Sequence, residues 1–176
     1  MKLSGNIFLV GPMGAGKTTI GRLLAKAMGV EFIDSDKEIE QRTGVSIPMI
    51  FEYEGESGFR RREAETLADL TALSPIVLAT GGGSVILPEN QAVLCNRGFV
   101  VYLQCPVEKQ LERTQWDVNR PLLNTDNPRA RLEALFQVRD PIYQSIADLI
   151  VDTGEFSSRS SVRQILKAFN RDIKSR

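Results

Sequence analysis

The sequence predicts an α/β fold in which a parallel sheet carries helices on both faces. Two observations predict it. Five short apolar runs alternate with helical patterns from end to end, and each glycine-rich or acidic cluster directly follows one of those runs. Ligands in open parallel sheets bind at the carboxyl ends of the strands, so the three clusters Gly11–Gly16, Asp34 with Asp36, and Gly81–Gly83 are expected on one edge.

The first run, Ile7–Val10, leads into the glycine-rich segment. A helix follows, with Ile20, Leu23, Leu24 and Ala27 at helical spacing and Gly29 placed to cap its C-terminus. Glu31–Asp36 reads as the second strand, followed by a helix from near Lys37 to Gly44. Residues 56–73 carry Ala64, Leu67 and Ala68 on one helical stripe, and Ile76–Ala79 is a buried strand entering the triple glycine. Pro88 suits the first turn of a short helix ending at Gly98. Phe99–Leu103 is a strand, and Pro106 opens a helix to about Thr114. Residues 115–127 lose periodicity and form a long polar loop. A helix from about Pro128 is expected to stop before Pro141, because proline disfavours helical geometry in the residue before it. Leu149–Val151 is the last strand, and Val162, Ile165, Leu166, Phe169 and Ile173 mark the final helix.

A chain of 176 residues fits one domain and buries about two thirds of its unfolded surface, so it needs neither disulfides nor a structural metal. Lys plus Arg equals Asp plus Glu at 22 each, which gives no global field for nucleic acid or an anionic membrane. Histidine is absent, which removes Ser-His-Asp and Cys-His machineries and His-ligated metals. Cys95 and Cys105 lack a CxxC spacing and read as reduced thiols of a cytoplasmic protein. The four-residue run Ile7–Val10 is shorter than a secretory core, and no run reaches membrane-spanning length.

Gly11-Pro12-Met13-Gly14-Ala15-Gly16-Lys17-Thr18 matches G-x-x-x-x-G-K-[ST] between a predicted strand and a predicted helix. Its backbone N–H groups and the helix N-terminus suit the phosphates of a nucleoside triphosphate. Lys17 is placed for the β/γ-phosphates, and the Thr18 hydroxyl for Mg²⁺. Asp34 and Asp36, at i and i+2 of an extended strand, are expected to share a face beside this loop. One would serve Mg²⁺ and the other a substrate hydroxyl; the plainer alternative is that Asp36 only N-caps the next helix.

Three consecutive arginines, Arg60–Arg62, splay by about 100° each on a helix, so one enters a cleft. Arg60 shares a face with Glu63, which leaves a surface ion pair as its simpler role. Arg139 continues the apolar Leu132, Leu135, Phe136 stripe with Tyr143 one turn later. It either meets a desolvated anion or snorkels to water. Arg113 and Arg120 flank the start of the polar loop, which is a lid over the nucleotide or an ordinary solvated loop. Trp116 there reads as a local packing anchor.

Together, GPMGAGKTT at Gly11–Thr19, Asp34-Ser35-Asp36, GFRRRE at Gly58–Glu63, ATGGG at Ala79–Gly83, RPLL at Arg120–Leu123 and RDPIY at Arg139–Tyr143 resemble the shikimate kinases. The resemblance spans almost the whole chain. It implies one P-loop kinase domain over residues 1–176, with strand order 2-3-1-4-5, substrate-binding helices at about 37–63 and a mobile lid at about 115–127. It implies transfer of the ATP γ-phosphoryl group to the 3-hydroxyl of shikimate, with Mg²⁺, in aromatic amino-acid synthesis by a cytoplasmic monomer. Another small polyol or a nucleotide is the alternative acceptor. On the matching positions, Gly14, Ala15, Gly16, Lys17, Thr18, Thr19, Arg113 and Arg120 would hold ATP, and Thr18 with Asp34 the metal. Asp36, Arg60, Gly81, Gly82, Gly83 and Arg139 would hold shikimate, with Lys17, Asp36 and Arg120 catalytic. The segment after Thr153 lacks the Asn-Arg-Arg-type adenine contact of some relatives, leaving Phe156 or Arg159 for it.

Overall fold

The computed structural model describes residues 5–115 and 124–175. Five strands, β1 (Ile7–Val10), β2 (Glu31–Asp34), β3 (Ile76–Ala79), β4 (Phe99–Gln104) and β5 (Leu149–Asp152), form one sheet in the order β2-β3-β1-β4-β5. Every neighbouring pair is parallel, with Ile7 opposite Val77 and Phe99 across the centre. Around it run α1 (Lys17–Met28), α2 (Ser35–Thr43), α3 (Ile47–Leu70), α4 (Pro88–Arg97), α5 (Val107–Thr114), α6 (Pro128–Ile146) and α7 (Ser158–Ser175).

The central strands are apolar on both sides because both sides are covered. Ile7, Leu9, Val77, Val101 and Leu103 pack with Ile20 and Leu24 of α1 and Ile165 and Phe169 of α7. Phe8, Val10, Leu78, Val100 and Tyr102 point the other way, against Leu67 of α3, Leu94 of α4 and Tyr143 of α6. Each fully buried side chain of this size contributes about 1.5–3 kcal/mol. A smaller cluster of Ile39, Ile50 and Phe59 holds α2 on α3 beside the β2 edge. Among the described residues no helix is long and apolar enough to cross a membrane.

The boundaries that depart most from the sequence expectation are those of β2, α3 and α6. β2 ends at Asp34, because its side chain caps α2 by accepting from the backbone N–H groups of Asp36 and Lys37. α3 begins at Ile47, nine residues before the expected start, and is broken at Gly55, whose φ of 69° and ψ of −178° are not helical. It ends at Leu70, short of the expected residue 73. α6 continues through Pro141 to Ile146, because Arg139, Tyr143 and Ile146 are buried on one face and their packing outweighs one missing hydrogen bond. Of the polar loop at 115–127, residues 116–123 lie outside the described residues, and Trp116, Arg120 and most of the expected lid with them.

Candidate active site

The turn from β1 into α1 forms the floor of the site. At Gly11 the backbone has φ 147°, and a Cβ there would stand 2.5 Å from the Leu103 carbonyl oxygen, so no side chain fits. α1 starts with no side-chain cap and no acidic residue in its first turn, leaving its first N–H groups and positive dipole end for an anion. Lys17 Nζ donates to the carbonyls of Gly11 at 2.6 Å and Pro12 at 2.8 Å, which holds the ammonium over the loop. A cleft of about 290 Å³ opens above, lined by Gly14, Gly16, Lys17, Thr18, Thr19, Asp34, Asp36, Gly81, Gly82 and Arg113 among others. Of the residues expected at the phosphate loop and the two aspartates, all the described ones but Ala15 line it, as do Gly81 and Gly82, whereas Gly83, Arg60 and Arg139 do not.

The two aspartates reach the cleft by a different route from strand alternation. Asp34 is the last residue of β2, whereas Asp36 lies in the first turn of α2, where the helix dipole favours a carboxylate. The helix cap is Asp34, not Asp36: its Oδ1 accepts from Asp36 N at 3.0 Å and from Lys37 N at 3.2 Å. Its Oδ2 accepts from the Thr18 hydroxyl at 3.2 Å. Asp36 is thus left to face the triple-glycine turn, where a Cβ on Gly81 would stand 2.8 Å from its Oδ1.

No group of three or more His, Cys, Asp or Glu residues among the described residues could cage a metal. Mg²⁺ does not need one, since it commonly takes one or two protein oxygens and completes its shell with phosphate and water. Thr18 Oγ1, oriented by Asp34, is a hard oxygen donor set that fits that mode.

Opposite the aspartates stand two buried arginines. Arg60 is 8% exposed and donates through Nη1 to Glu63 Oε1 at 2.9 Å and through Nη2 to Glu56 Oε1 at 3.3 Å. Its Nε is buried with no hydrogen-bond partner among the described residues. The Arg60–Glu63 pair anticipated from the i, i+3 spacing therefore exists, but in the interior: the Glu63 side chain is fully buried and also accepts from the Ser84 hydroxyl. Arg61 stays exposed and Arg62 pairs with Glu54 on the surface, so one arginine of the three enters the site. Arg139 is 5% exposed, which leaves no room for snorkelling, and no carboxylate of the described residues lies within ion-pair distance. Burial pushes its pKa below the ordinary arginine value; Tyr143 opposes that shift, and the like charge of Arg60 adds to it. Two desolvated cations side by side make a strong anion site.

The three glycines are the surface these groups rest on. A Cβ on Gly83 would stand 2.2 Å from Arg60 Nη2, and one on Gly82 3.4 Å from Arg139 Nη1. Any side chain at Gly83 would displace the guanidinium. Asp36, Arg60 and Arg139, from three different helices, therefore meet on one backbone turn that also borders the phosphate loop.

Arg113 is fixed rather than free. It donates to the Gly14 carbonyl at 2.9 Å and the Thr153 carbonyl at 3.0 Å, tying the phosphate loop to the turn after β5. It also borders a second cavity of about 300 Å³, lined by Ala15, Gly16, Thr19, Ile20, Thr153, Phe156, Ser157 and Ser158. Of the two residues named for the adenine contact, Phe156 lines this space and Arg159 is not among its lining residues. Sequence reasoning gives Glu63 and Tyr143 no part in the site; their signals are the i+3 and i+4 spacings from Arg60 and Arg139 and their places at the ends of the GFRRRE and RDPIY motifs.

The sequence matches the shikimate kinase family profile over residues 13–170. It is 69% identical to the shikimate kinase of Methylococcus capsulatus, covering 94% of this chain and 93% of that one. It is 56% identical to the enzyme of Thioalkalivibrio sulfidiphilus, over 99% and 92% of the two chains. The solved structure of Acinetobacter baumannii shikimate kinase in complex with shikimate superposes with a TM-score of 0.93 at 50% identity, covering 96% of this chain and 94% of that one.

Proposed function

The chain belongs to the shikimate kinase family, and from that membership we propose how its crevice carries out the reaction. The reaction is ATP-dependent phosphorylation of the shikimate 3-hydroxyl, giving shikimate 3-phosphate and ADP on the route to aromatic amino acids. The enzyme is a phosphotransferase with an alcohol acceptor. The alternative acceptors open on sequence alone, another polyol or a nucleotide, are not favoured by relatives of this identity.

In our reading the ATP phosphates lie on the Gly11–Thr18 turn with Lys17 at the β- and γ-phosphates, and the adenine in the cavity bordered by Arg113 and Phe156. The shikimate carboxylate sits between Arg60 and Arg139 on the Gly81–Gly83 turn, which directs the ring hydroxyls to Asp36. The 3-hydroxyl oxygen attacks the γ-phosphorus as the bond to the β-γ bridging oxygen breaks. Asp36 accepts the hydroxyl hydrogen bond and takes its proton. Such a transition state is loose and its charge spreads over the phosphoryl oxygens, so positioning and neutralisation by Lys17 supply most of the rate. Thr18, with Asp34 behind it, would hold Mg²⁺, which would supply neutralisation of phosphate charge. The family resemblance gives Arg120 and a lid at about 115–127 the task of excluding water, within one kinase domain whose substrate-binding helices are at about 37–63; Arg120 itself lies outside the described residues. Following the family resemblance, we propose a cytoplasmic enzyme that acts as a monomer.

The observation that carries this reading is the convergence of Asp36, Arg60 and Arg139 on one glycine turn beside the phosphate loop. A coupled ADP-release assay with Mg-ATP and a panel of shikimate, gluconate and nucleoside monophosphates tests it. Turnover with shikimate alone is the expected result, and none with shikimate would end the proposal.

Gly83→Ala gives a second check. The new methyl group occupies the Arg60 guanidinium position, so KM for shikimate is expected to rise about tenfold or more, while KM for ATP stays within about twofold. An unchanged shikimate KM would remove Arg60 from carboxylate binding.

A further inference from the structure

The least explained group near the site is a phenol. Tyr143 lies on α6 one turn beyond Arg139 and is 2% exposed. Its hydroxyl donates to the Gly82 carbonyl, and the phenol lies against the Arg139 guanidinium, whose pKa it raises. Burial pushes its pKa up to about 12, so the hydroxyl keeps its proton, and its donor capacity, across any assay pH. The ring packs on Tyr102 of β4 with centroids 4.9 Å apart, and the Tyr102 hydroxyl in turn donates to Asp140. The phenol therefore stands on the rigid sheet and reaches two shikimate-side elements that approach from different parts of the chain.

We infer that Tyr143 is a positioning residue for shikimate: its hydroxyl locks the Arg139 guanidinium to the Gly82 carbonyl and so sets the carboxylate-binding fork. The physical case has two parts. Arg139 is in no ion pair among the described residues, where Glu56 attracts it only from beyond contact, and the Tyr143 oxygen adds a neutral acceptor that can orient the guanidinium. The Gly82–Gly83 peptide is planar and trans, so anchoring its carbonyl also fixes the direction of the Gly83 N–H on the opposite side. One hydroxyl thus sets the orientation of a charged fork and of a backbone donor. This inference rests on the assignment of shikimate to the Arg60–Arg139 site.

Tyr143→Phe tests it, since the ring and its stack on Tyr102 remain. KM for shikimate is expected to rise about 5- to 50-fold, with kcat within threefold and KM for ATP within twofold of the parent. Tyr102→Phe is the control, because it removes a buried hydroxyl from the same stack without touching Gly82 or Arg139. It is expected to lower Tm at least as much while leaving shikimate KM within twofold. A shikimate KM unchanged in Tyr143→Phe would overturn the inference. So would equal rises in both variants, or a fall in all constants together with Tm, either of which marks a structural role. A parent enzyme that does not turn over shikimate would instead remove the assignment beneath the inference, so the two failures are distinguishable.

Discussion

Asp36→Asn is expected to lower kcat by about 10²–10⁴-fold, the usual span for a proton-transfer group. The substitution is nearly isosteric. It keeps an oxygen that accepts the substrate hydroxyl and retains the place in the first turn of α2. The helix itself loses little, because its cap is Asp34 and not Asp36. What disappears is the negative charge and the capacity to take a proton, so KM for shikimate should stay within about threefold while kcat collapses. Steady-state kinetics with both substrates saturating separates the two quantities. A kcat loss below threefold would show that the carboxylate only orients the hydroxyl, as a loose transition state would allow.

Lys17→Met is expected to cost about 10²–10³-fold in the rate of phosphoryl transfer, the size of removing one preorganised charge from a developing oxyanion. The ammonium is held over the loop by the carbonyls of Gly11 and Pro12, within reach of a phosphate seated on the α1 N-terminus. Methionine keeps the aliphatic stem and loses the charge together with the loop hydrogen bonds. The loop backbone still offers its N–H groups, so ATP binding should weaken by a smaller factor than the chemical step. Single-turnover quench measurements read that step directly. A transfer rate within threefold of the parent would contradict the assignment of Lys17 to the γ-phosphate.

Much of this site was legible in the sequence because its chemistry is local. The phosphate loop is eight consecutive residues, and its demand for small residues can be read one position at a time. Gly29 and Gly44 announced the ends of α1 and α2 and cap them in the left-handed conformation. The strand order did not come from periodicity: strands covered on both faces show only continuous apolar runs, and the order came from the family resemblance.

The misreadings have physical causes. Treating residues 31–36 as one strand put Asp34 and Asp36 on a common face by alternation. The Asp34 side chain instead ends the strand and starts the helix, and Asp36 reaches the cleft from a helical turn. Both still line it, so the conclusion survived a wrong derivation. Pro141 pointed to a helix end, but the preference of a residue preceding proline is weaker than the burial of Arg139, Tyr143 and Ile146 on one face. The segment 47–54 was missed because Gly55 breaks the pattern that 56–70 continues. Glu63 was visible as a partner of Arg60 but not as a buried one. Its burial depends on Ser84 and the Gly81–Gly83 turn, some twenty residues away in sequence. Contacts of that kind are set by topology, which spacing within one helix does not encode.

The buried Arg60–Glu63 pair holds the Arg60 guanidinium at the triple-glycine turn without any bound substrate. Removing either partner of a buried pair leaves an uncompensated charge and costs about 3–5 kcal/mol, so the pair resists rearrangement. Glu56 is different: half exposed, it holds the other end of the guanidinium from the solvent side. A substrate carboxylate can replace it there without unburying any charge.

The most direct measurement is a crystal structure of the enzyme with shikimate and a non-hydrolysable ATP analogue bound together. The carboxylate is expected between the Arg60 and Arg139 guanidiniums, with the 3-hydroxyl within hydrogen-bond distance of Asp36 and in line with the γ-phosphorus. Shikimate bound with its carboxylate away from both arginines, or with Asp36 turned from the hydroxyls, would contradict the account.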